Sequence, residues 1–181
     1  MRKYLLALTL SFITFSPALA ENLFEENFEN LDNWRPLTFP KIDKKSTYTI
    51  IKEGQNSILK AETNSSASGL IYKDEFDVYE YPNVSWRWKV ENVFEKGDAE
   101  KKSGDDYPIR IYVVFKYDPD KVGFGTRLKY KAAKLVYGEY PPAASLNYIW
   151  ANKEHDKAII TSPYADEVKL IPVSSGKKEL G

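Results

Sequence analysis

The stretch that decides the fold is Val84-Ser85-Trp86-Arg87-Trp88-Lys89-Val90, which carries two of the four tryptophans. Side chains of a β-strand alternate between its two faces, so Trp86 and Trp88 share one face with the flanking valines. Arg87 lies on the opposite face. Truncating a buried tryptophan costs about 3–5 kcal/mol, so this pair predicts a strand whose apolar face contributes to a hydrophobic core.

A second apolar stretch, Ile109-Arg110-Ile111-Tyr112-Val113-Val114-Phe115, alternates in the same way. Its odd-numbered apolar residues share one face, and Arg110 and Tyr112 share the other. An apolar face backed by a polar face is typical of a two-layer β-structure. If the two strands are neighbours, Arg87 and Arg110 lie close to Asp105-Asp106 in the loop that connects them.

The rest of the chain predicts an all-β fold, because short strand-like segments and turn residues recur at spacings of roughly 8–12 residues. The expected architecture is a β-sandwich or jelly roll with one short helix near 126–137. Leu128, Ala132, Leu135 and Val136 recur there at helical spacing, which predicts an amphipathic helix. Further strands are predicted at 23–28, 47–51, 57–61, 67–72, 76–79, 145–150, 158–161 and 168–173.

The N-terminal 20 residues have the features of a secretory signal peptide. Arg2 and Lys3 precede an uncharged apolar run at 5–15, and 16–20 ends in a small-x-small cleavage pattern at Ala20. We therefore expect a periplasmic or secreted protein whose mature part, 21–181, is a single domain without a transmembrane segment. No cysteine follows the apolar run, which excludes a lipid-anchored variant of this signal.

Composition excludes several functional classes. The formal net charge is 0, and loss of the signal peptide changes it to −2, so no strong positive field is available to bind nucleic acid. The chain has no cysteine, which excludes a thiol nucleophile, thiolate metal sites and iron–sulfur clusters. His155 is the only histidine, so metal sites with paired histidines are excluded, and its polar surroundings predict a solvated turn.

Asp105-Asp106 is the strongest acidic candidate. Three interpretations remain open: an ion pair with Arg87 or Arg110, a catalytic carboxylate pair, and a contribution to a cation site. An arginine–carboxylate pair would fix the position of the loop. A glycosidase needs two carboxylates that face each other across the scissile bond, whereas neighbouring residues of a strand point to opposite faces.

No cofactor is expected, although a calcium ion at a loop containing Asp118 or Asp120 is an alternative, because Ca²⁺ prefers hard oxygen ligands. The charged connector at 91–104 is predicted to be a solvated loop. Lysines and an arginine along the helix predict a solvated face, with a partner surface as the alternative.

Aromatic residues make up 14% of the chain, and a minority on a concave face could stack on sugar rings. The candidates are Tyr112, Tyr148 and Trp150, which accompany polar residues or occur in predicted strands. Arg87, Asp105, Asp106 and Arg110 are the residues expected to hydrogen-bond the same ligand.

The order of several motifs resembles a bacterial secreted family, domain of unknown function family 3047. The resemblance covers nearly all of the mature chain. It implies an exported β-sandwich, similar in outline to galactose-binding jelly rolls, with no established activity. The motifs are Trp86-Arg87-Trp88, Gly104-Asp105-Asp106, 110–115, Ala67-Ser68-Gly69-Leu70, 146–150 and Ser174-Ser175-Gly176.

The family pattern continues beyond Gly181 with a tryptophan, an acidic and aromatic stretch and a final strand region. We therefore expect the 21–181 domain to be C-terminally incomplete, with an apolar sheet edge left exposed.

Three functions are compatible with these features. The leading hypothesis is a non-enzymatic β-sandwich that binds a glycan or a cell-envelope component. The first alternative is a polysaccharide-acting enzyme that uses Asp105 or Asp106 as its acid or base. The second is a structural or interaction protein in which the polar residues only hold the loop in place.

Overall fold

The computed structural model of the protein describes residues 22–39, 42–137 and 140–176. The predicted signal peptide at 1–20 lies outside these residues. Strands predominate and are accompanied by one α-helix, which confirms the all-β class. The chain divides between Val84 and Ser85 into two compact units, so the prediction of one domain over 21–181 stays a prediction.

The first unit contains two antiparallel strand pairs, and the predicted strands at 47–51, 57–61 and 67–72 are confirmed. Strand β2 pairs with β3 through a tight hairpin at Gly54, whose φ of +63° is a conformation that glycine adopts without strain. Strand β1 pairs with β4. The bounds are β1 Trp34–Leu37, β2 Thr47–Glu53, β3 Asn56–Glu62 and β4 Gly69–Tyr72.

Ser68 connects the two strand pairs of the first unit. The Tyr48 hydroxyl donates to the Ser68 carbonyl at 2.7 Å, and the Ser46 amide donates to the Ser68 hydroxyl at 3.0 Å. An aromatic cluster lies at the other pair, where the Tyr72 ring stacks on Phe24 at 4.3 Å and meets Trp34 edge-on at 5.4 Å. Hydrogen bonds and ring contacts therefore hold this small unit together.

Two strand predictions in the first unit are wrong because side chains take over the backbone hydrogen bonds. At 23–28, the Glu26 carboxylate accepts from the Phe28 amide at 2.6 Å, and Phe28 has a φ of +52°, which ends the extended conformation. At 76–79, the Asp77 carboxylate accepts from the Tyr79 amide at 2.8 Å and forms a turn.

The second unit is built on a mixed four-stranded sheet in the order β5-β6-β8-β7. Strand β6 is an inner strand, antiparallel to β5 and parallel to β8. The predictions at 109–115, 145–150, 158–161 and 168–173 are confirmed with small changes of their ends. The bounds are β5 Arg110–Phe115, α1 Phe124–Tyr137, β6 Ala144–Ala151, β7 Ile160–Thr161 and β8 Val168–Ser175.

The pairing of β5 with β6 defines two faces of this sheet. Arg110 pairs with Ile149 and Tyr112 pairs with Asn147, so these four side chains share one face, which we call the Arg110 face. Tyr148 alternates with its neighbours and therefore lies on the other face, the Tyr148 face.

Two tryptophans from the segment before β5 pack on the Tyr148 face. The Trp86 ring lies 5.1 Å from Tyr148, and the Trp88 ring lies 5.9 Å from Trp150 in an edge-on arrangement. Trp88 is buried while Arg87 and Lys89 are exposed, so the predicted alternation is confirmed at these positions. Val84, which was predicted on the buried face, is 52% exposed. The predicted strand at 84–90 is wrong, because this segment attaches through its rings rather than through a strand ladder.

The Arg110 face carries the hydrophobic core of the second unit. Part of that core comes from the connector at 91–104, whose residues 97–99 are buried. The prediction that this connector is a solvated loop is therefore wrong, because Ala99 fills the core. The core residues are Ala99, Tyr107, Ile149, Ala151, Ile160 and Leu170.

Helix α1 confirms the predicted helix near 126–137 and begins two residues earlier. It is attached through Tyr130, whose ring stacks on Tyr117 at 3.8 Å and whose hydroxyl donates to the Pro142 carbonyl at 3.1 Å. The predicted apolar stripe does not make this contact, because Leu128 and Leu135 are exposed.

The described residues form three separate sheets, of two, two and four strands. Their arrangement as a sandwich or a galactose-binding-like jelly roll stays a prediction. Among the described residues no helix is long and apolar enough to cross a membrane.

Replacing Trp88 with alanine removes the ring that packs against Trp150. We expect the free energy of unfolding to fall by about 3–5 kcal/mol, the usual cost of truncating a buried tryptophan. Urea unfolding measures this change. Lys89→Ala, at the exposed neighbouring position, is the matched control and should change stability by less than about 0.5 kcal/mol. A Trp88→Ala protein as stable as the control would contradict the importance of this contact.

Candidate functional site

An ion pair between Asp105 and Arg110 is the centre of the candidate site. The Arg110 Nη1 lies 3.4 Å from Asp105 Oδ1, and both side chains are partly buried, at 29% and 22% exposure. Arg110 is the first residue of β5, and Asp105 follows the short 3₁₀ turn Lys102–Gly104. The geometry selects Arg110, of the two predicted arginines, as the partner of the aspartate.

Two tyrosine rings flank the Arg110 guanidinium. Its central carbon lies 5.0 Å from the Tyr107 ring centre and 5.4 Å from the Tyr112 ring centre, which is within the range of cation–π attraction. Burial raises the pKa of Tyr107, and the nearby charge of Asp105 raises it further. Burial also raises the pKa of Tyr112, although 43% of this residue is exposed. Both phenols are therefore neutral hydrogen-bonding groups at neutral pH.

Buried polar groups without partners occur on the same face. Asn147, opposite Tyr112 in the ladder, is only 1% exposed, and its Oδ1 accepts no hydrogen bond from the described residues. Its Nδ2 makes one long contact, 3.4 Å, with the Ser145 hydroxyl. The buried Tyr107 hydroxyl also has no partner among the described residues. Such groups are uncommon in folded proteins, so the polar groups of this face have unused hydrogen-bonding capacity.

Three predicted ligand residues do not lie at this site. Tyr148 and Trp150 lie on the Tyr148 face, and Arg87 points away from the tryptophans that cover that face. Trp150 is fully buried, and its Nε1 donates to the Gly176 carbonyl at 2.8 Å. The prediction that Trp150 stacks on a ligand is therefore wrong, because its ring is an interior packing group.

Asp105 and Asp106 separate in the structure. The Asp106 side chain is exposed, while its carbonyl accepts a hydrogen bond from the Asn152 amide. The Asn152 Oδ1 accepts from the Phe94 amide at 2.7 Å. A Cβ at Gly97 would lie 1.9 Å from the Asn152 Nδ2, so only glycine fits there. Asn152 fixes the connector and the residues that directly follow it, including Asp105, and no motif in the sequence indicated this role.

A second polar cluster is centred on Asp98, which is buried. Its Oδ2 lies 2.8 Å from the Lys153 Nζ and 2.9 Å from the Lys101 Nζ, and its Oδ1 accepts from the Glu100 amide at 3.1 Å. The hydrogen bonds from Lys153 and Lys101 hold the pKa of Asp98 well below its usual range. A Cβ at Gly104 would lie 2.5 Å from the Asp98 amide nitrogen, which explains the glycine.

His155 joins this cluster, contrary to the prediction of a solvated turn residue. One ligand atom from each of Asp98, Glu100 and His155 lies within 4.8 Å of the others, and the His155 Nε2 is buried without a partner among the described residues. Lysines already pair with both carboxylates, including Lys157 with Glu100. Because those ammonium groups repel a cation, the arrangement is best described as an ion-pair network.

The predicted alternative of a calcium site involves the loop that contains Asp118, whose carboxylate already has partners within the protein. Asp118 Oδ1 accepts from the Asp120 amide at 2.9 Å and caps a short 3₁₀ turn, and its Oδ2 lies 3.5 Å from the Lys121 Nζ. A calcium ion at Asp118 or Asp120 stays a prediction.

The fold and the site define a β-rich protein with an arginine–aspartate pair between two tyrosines on one face of a mixed sheet. The chain belongs to the family described as protein of unknown function (DUF3047), whose model matches residues 32–181. No curated protein and no solved structure matches the chain.

The Asp98 network predicts a specific dependence of stability on pH. Because the pKa of Asp98 is lower in the folded than in the unfolded protein, its carboxylate stabilises the fold fully above the unfolded pKa of about 3.9. This contribution is lost progressively as the pH falls below that value. Asp98→Asn should lower stability at neutral pH by about 1–3 kcal/mol, as expected for a buried charged partner.

The test is urea unfolding of both proteins between about pH 7 and about pH 2.5. The Asp98→Asn protein should lose less stability on acidification than the wild type. Asp106→Asn, which removes an exposed carboxylate, is the control and should follow the wild type. Parallel pH curves for the wild type and Asp98→Asn would contradict the assignment.

Proposed function

We propose that the protein is a non-enzymatic binding module that takes a glycan at the Arg110 face. The observation that carries this proposal is the Arg110 guanidinium, paired with Asp105 and flanked by the rings of Tyr107 and Tyr112. Binding sites for small molecules combine aromatic side chains with a few fixed polar groups, and this arrangement has both.

A sugar ring has an apolar C–H surface and a rim of hydroxyl groups. The partly exposed Tyr112 offers a ring on which the apolar surface can stack. Arg110 supplies donors in a fixed geometry and Asp105 supplies acceptors, which matches hydroxyl groups that donate and accept. Asp105, Arg110 and Tyr112 are therefore the proposed ligand-binding residues.

Catalysis is less well supported by the same geometry. Asp105 is partly buried and paired with Arg110, whereas the Asp106 side chain is exposed, so the two carboxylates have different environments. A glycosidase needs two carboxylates that face one another across the scissile bond.

The proposal includes an exported location, periplasmic or secreted, because of the signal-peptide features at 1–20. A glycan of the cell envelope is the ligand that fits this location. The galactose-binding-like jelly roll belongs to the same proposal.

Thermal denaturation with chito-, cello- and galacturonic-acid oligosaccharides tests this function. A ligand that binds the folded protein raises the melting temperature, and calorimetry then gives its affinity. Tyr112→Ala should weaken binding by roughly tenfold, since the stacking surface and its contact with Arg110 are lost. Arg110→Gln should weaken it at least as much.

Val114→Ala is the matched control, because Val114 is 50% exposed on the same face of β5 two residues beyond Tyr112. It should leave the affinity unchanged. No rise in melting temperature with any oligosaccharide, or equal affinity of the Tyr112→Ala protein, would overturn the proposal. If Arg110→Gln lowered the melting temperature of the free protein but did not change oligosaccharide binding, the glycan-binding proposal would be replaced by a purely structural role for the Asp105–Arg110 pair.

A further inference from the structure

Helix α1 carries large apolar side chains on its solvent side. Phe124, Leu128 and Leu135 are 81%, 58% and 88% exposed. At 3.6 residues per turn, these three positions lie within about 40° of one another around the helix axis. Tyr130 and Ala133, which are partly buried, lie on the opposite side. The helix is therefore amphipathic with its apolar stripe facing away from the sheet, which is unusual for a helix of a soluble domain.

The charges of α1 are all positive. Arg127, Lys129, Lys131 and Lys134 lie within Phe124–Tyr137, and this segment contains no aspartate or glutamate. Within the described part of the chain, no salt bridge involves any of the four cations. By the same spacing, Lys131 lies about 20° from one edge of the stripe, and Arg127 and Lys134 lie further round on that side. Lys129 lies about 120° from the centre of the stripe, on its other side.

A recess of about 520 Å³ lies beside the C-terminal end of the stripe. It is lined by Lys131, Lys134, Leu135 and Tyr140, so two ammonium groups and an apolar side chain share one open depression. The Lys134 Nζ lies 4.4 Å from the Tyr140 ring centre, which keeps this cation at the recess. A ligand that fits must present negative charge next to apolar surface.

We infer that α1 docks onto the surface of an anionic lipid bilayer. A bilayer offers phosphate groups at the height of its headgroups and acyl chains immediately below, which is the pairing of charge and apolar surface that α1 complements. Phe124, Leu128 and Leu135 enter the acyl boundary. Lys131 and Lys134 extend along the surface toward the phosphates.

The length of the helix suits this orientation. Fourteen residues span about 21 Å, which is shorter than the hydrocarbon core of a bilayer, about 30 Å. In the inferred orientation, α1 therefore lies along the bilayer surface with its stripe inward. No helix among the described residues is long enough to cross the membrane, and surface docking does not require one. The inference is independent of the proposed glycan site, because the stripe and the Arg110 face share no residue.

Flotation with lipid vesicles tests the inference. The full chain should bind vesicles of equal parts phosphatidylglycerol and phosphatidylcholine and not vesicles of phosphatidylcholine alone. Raising the salt concentration should weaken binding, since exposed charges are screened over about 10 Å at 0.1 M salt. Replacing Leu128 and Leu135 with glutamine should reduce the affinity by roughly tenfold or more.

A second variant tests how much the positive charges of α1 contribute to vesicle binding. Lys131→Gln with Lys134→Gln should reduce affinity by about fivefold per lysine, which corresponds to about 1 kcal/mol for each cation near an anionic surface. Ile159→Gln and Lys89→Gln, at exposed positions outside the helix, are the matched controls and should bind as the wild type does. All these side chains are exposed, so circular dichroism should show unchanged melting temperatures.

Three results would overturn the inference. The first is no binding of the wild type to anionic vesicles, and the second is equal binding by the Leu128→Gln, Leu135→Gln protein. The third concerns self-association, measured by sedimentation. If the same substitutions abolished self-association but left vesicle binding unchanged, the stripe would be a contact between two copies of the chain. If vesicle binding failed while Tyr112-dependent glycan binding persisted, the proposed glycan-binding function would remain intact.

Discussion

The second unit depends on the burial of strand β6 from both sides. On one face, Trp88 meets the fully buried Trp150, and on the other, Ile149 lies in a core completed by Ala99 of the connector. An inner strand that is covered on both faces buries apolar surface twice, which is the largest stabilising contribution available to a small sheet. The tryptophan segment and the connector attach to the sheet because each covers one face of β6.

This arrangement leaves the Arg110 face as the side of the sheet where apolar core and polar groups meet. The connector supplies Ala99 to the core and leads directly into Asp105 and Tyr107, so its packing brings both residues to Arg110. Asn152 then fixes the connector through its hydrogen bonds. Core packing and the geometry of the site therefore have one cause, which is the attachment of the connector and the residues that directly follow it to the sheet.

Local patterns in the sequence were sufficient for the all-β class, most strands and α1. They also predicted an ion pair of Asp105 or Asp106 with Arg87 or Arg110, and the structure selects Asp105 and Arg110. Alternation at 84–90 correctly placed Trp86 and Trp88 on the packed face, although Val84 is exposed. It contains no information on hydrogen-bond partners, so the predicted strand was wrong. The burial of Ala99 and Trp150 and the orientation of α1 depend on contacts between distant segments. Charge content predicted a solvated connector, whereas Lys101 and Lys153 neutralise the buried Asp98 carboxylate and allow that connector to pack.

The central claim is that the two faces of β6 differ in role, with the Tyr148 face used for packing alone and the Arg110 face carrying both core packing and the binding residues at its β5 side. Amide and indole chemical shifts in two-dimensional NMR spectra, recorded while an oligosaccharide that raises the melting temperature is added, test this most directly. The predicted result is a set of shifts confined to Asp105–Tyr112 and Asn147, with the Trp86 and Trp88 indole signals unchanged. Shifts centred on Trp86, Arg87 and Tyr148 would contradict the claim.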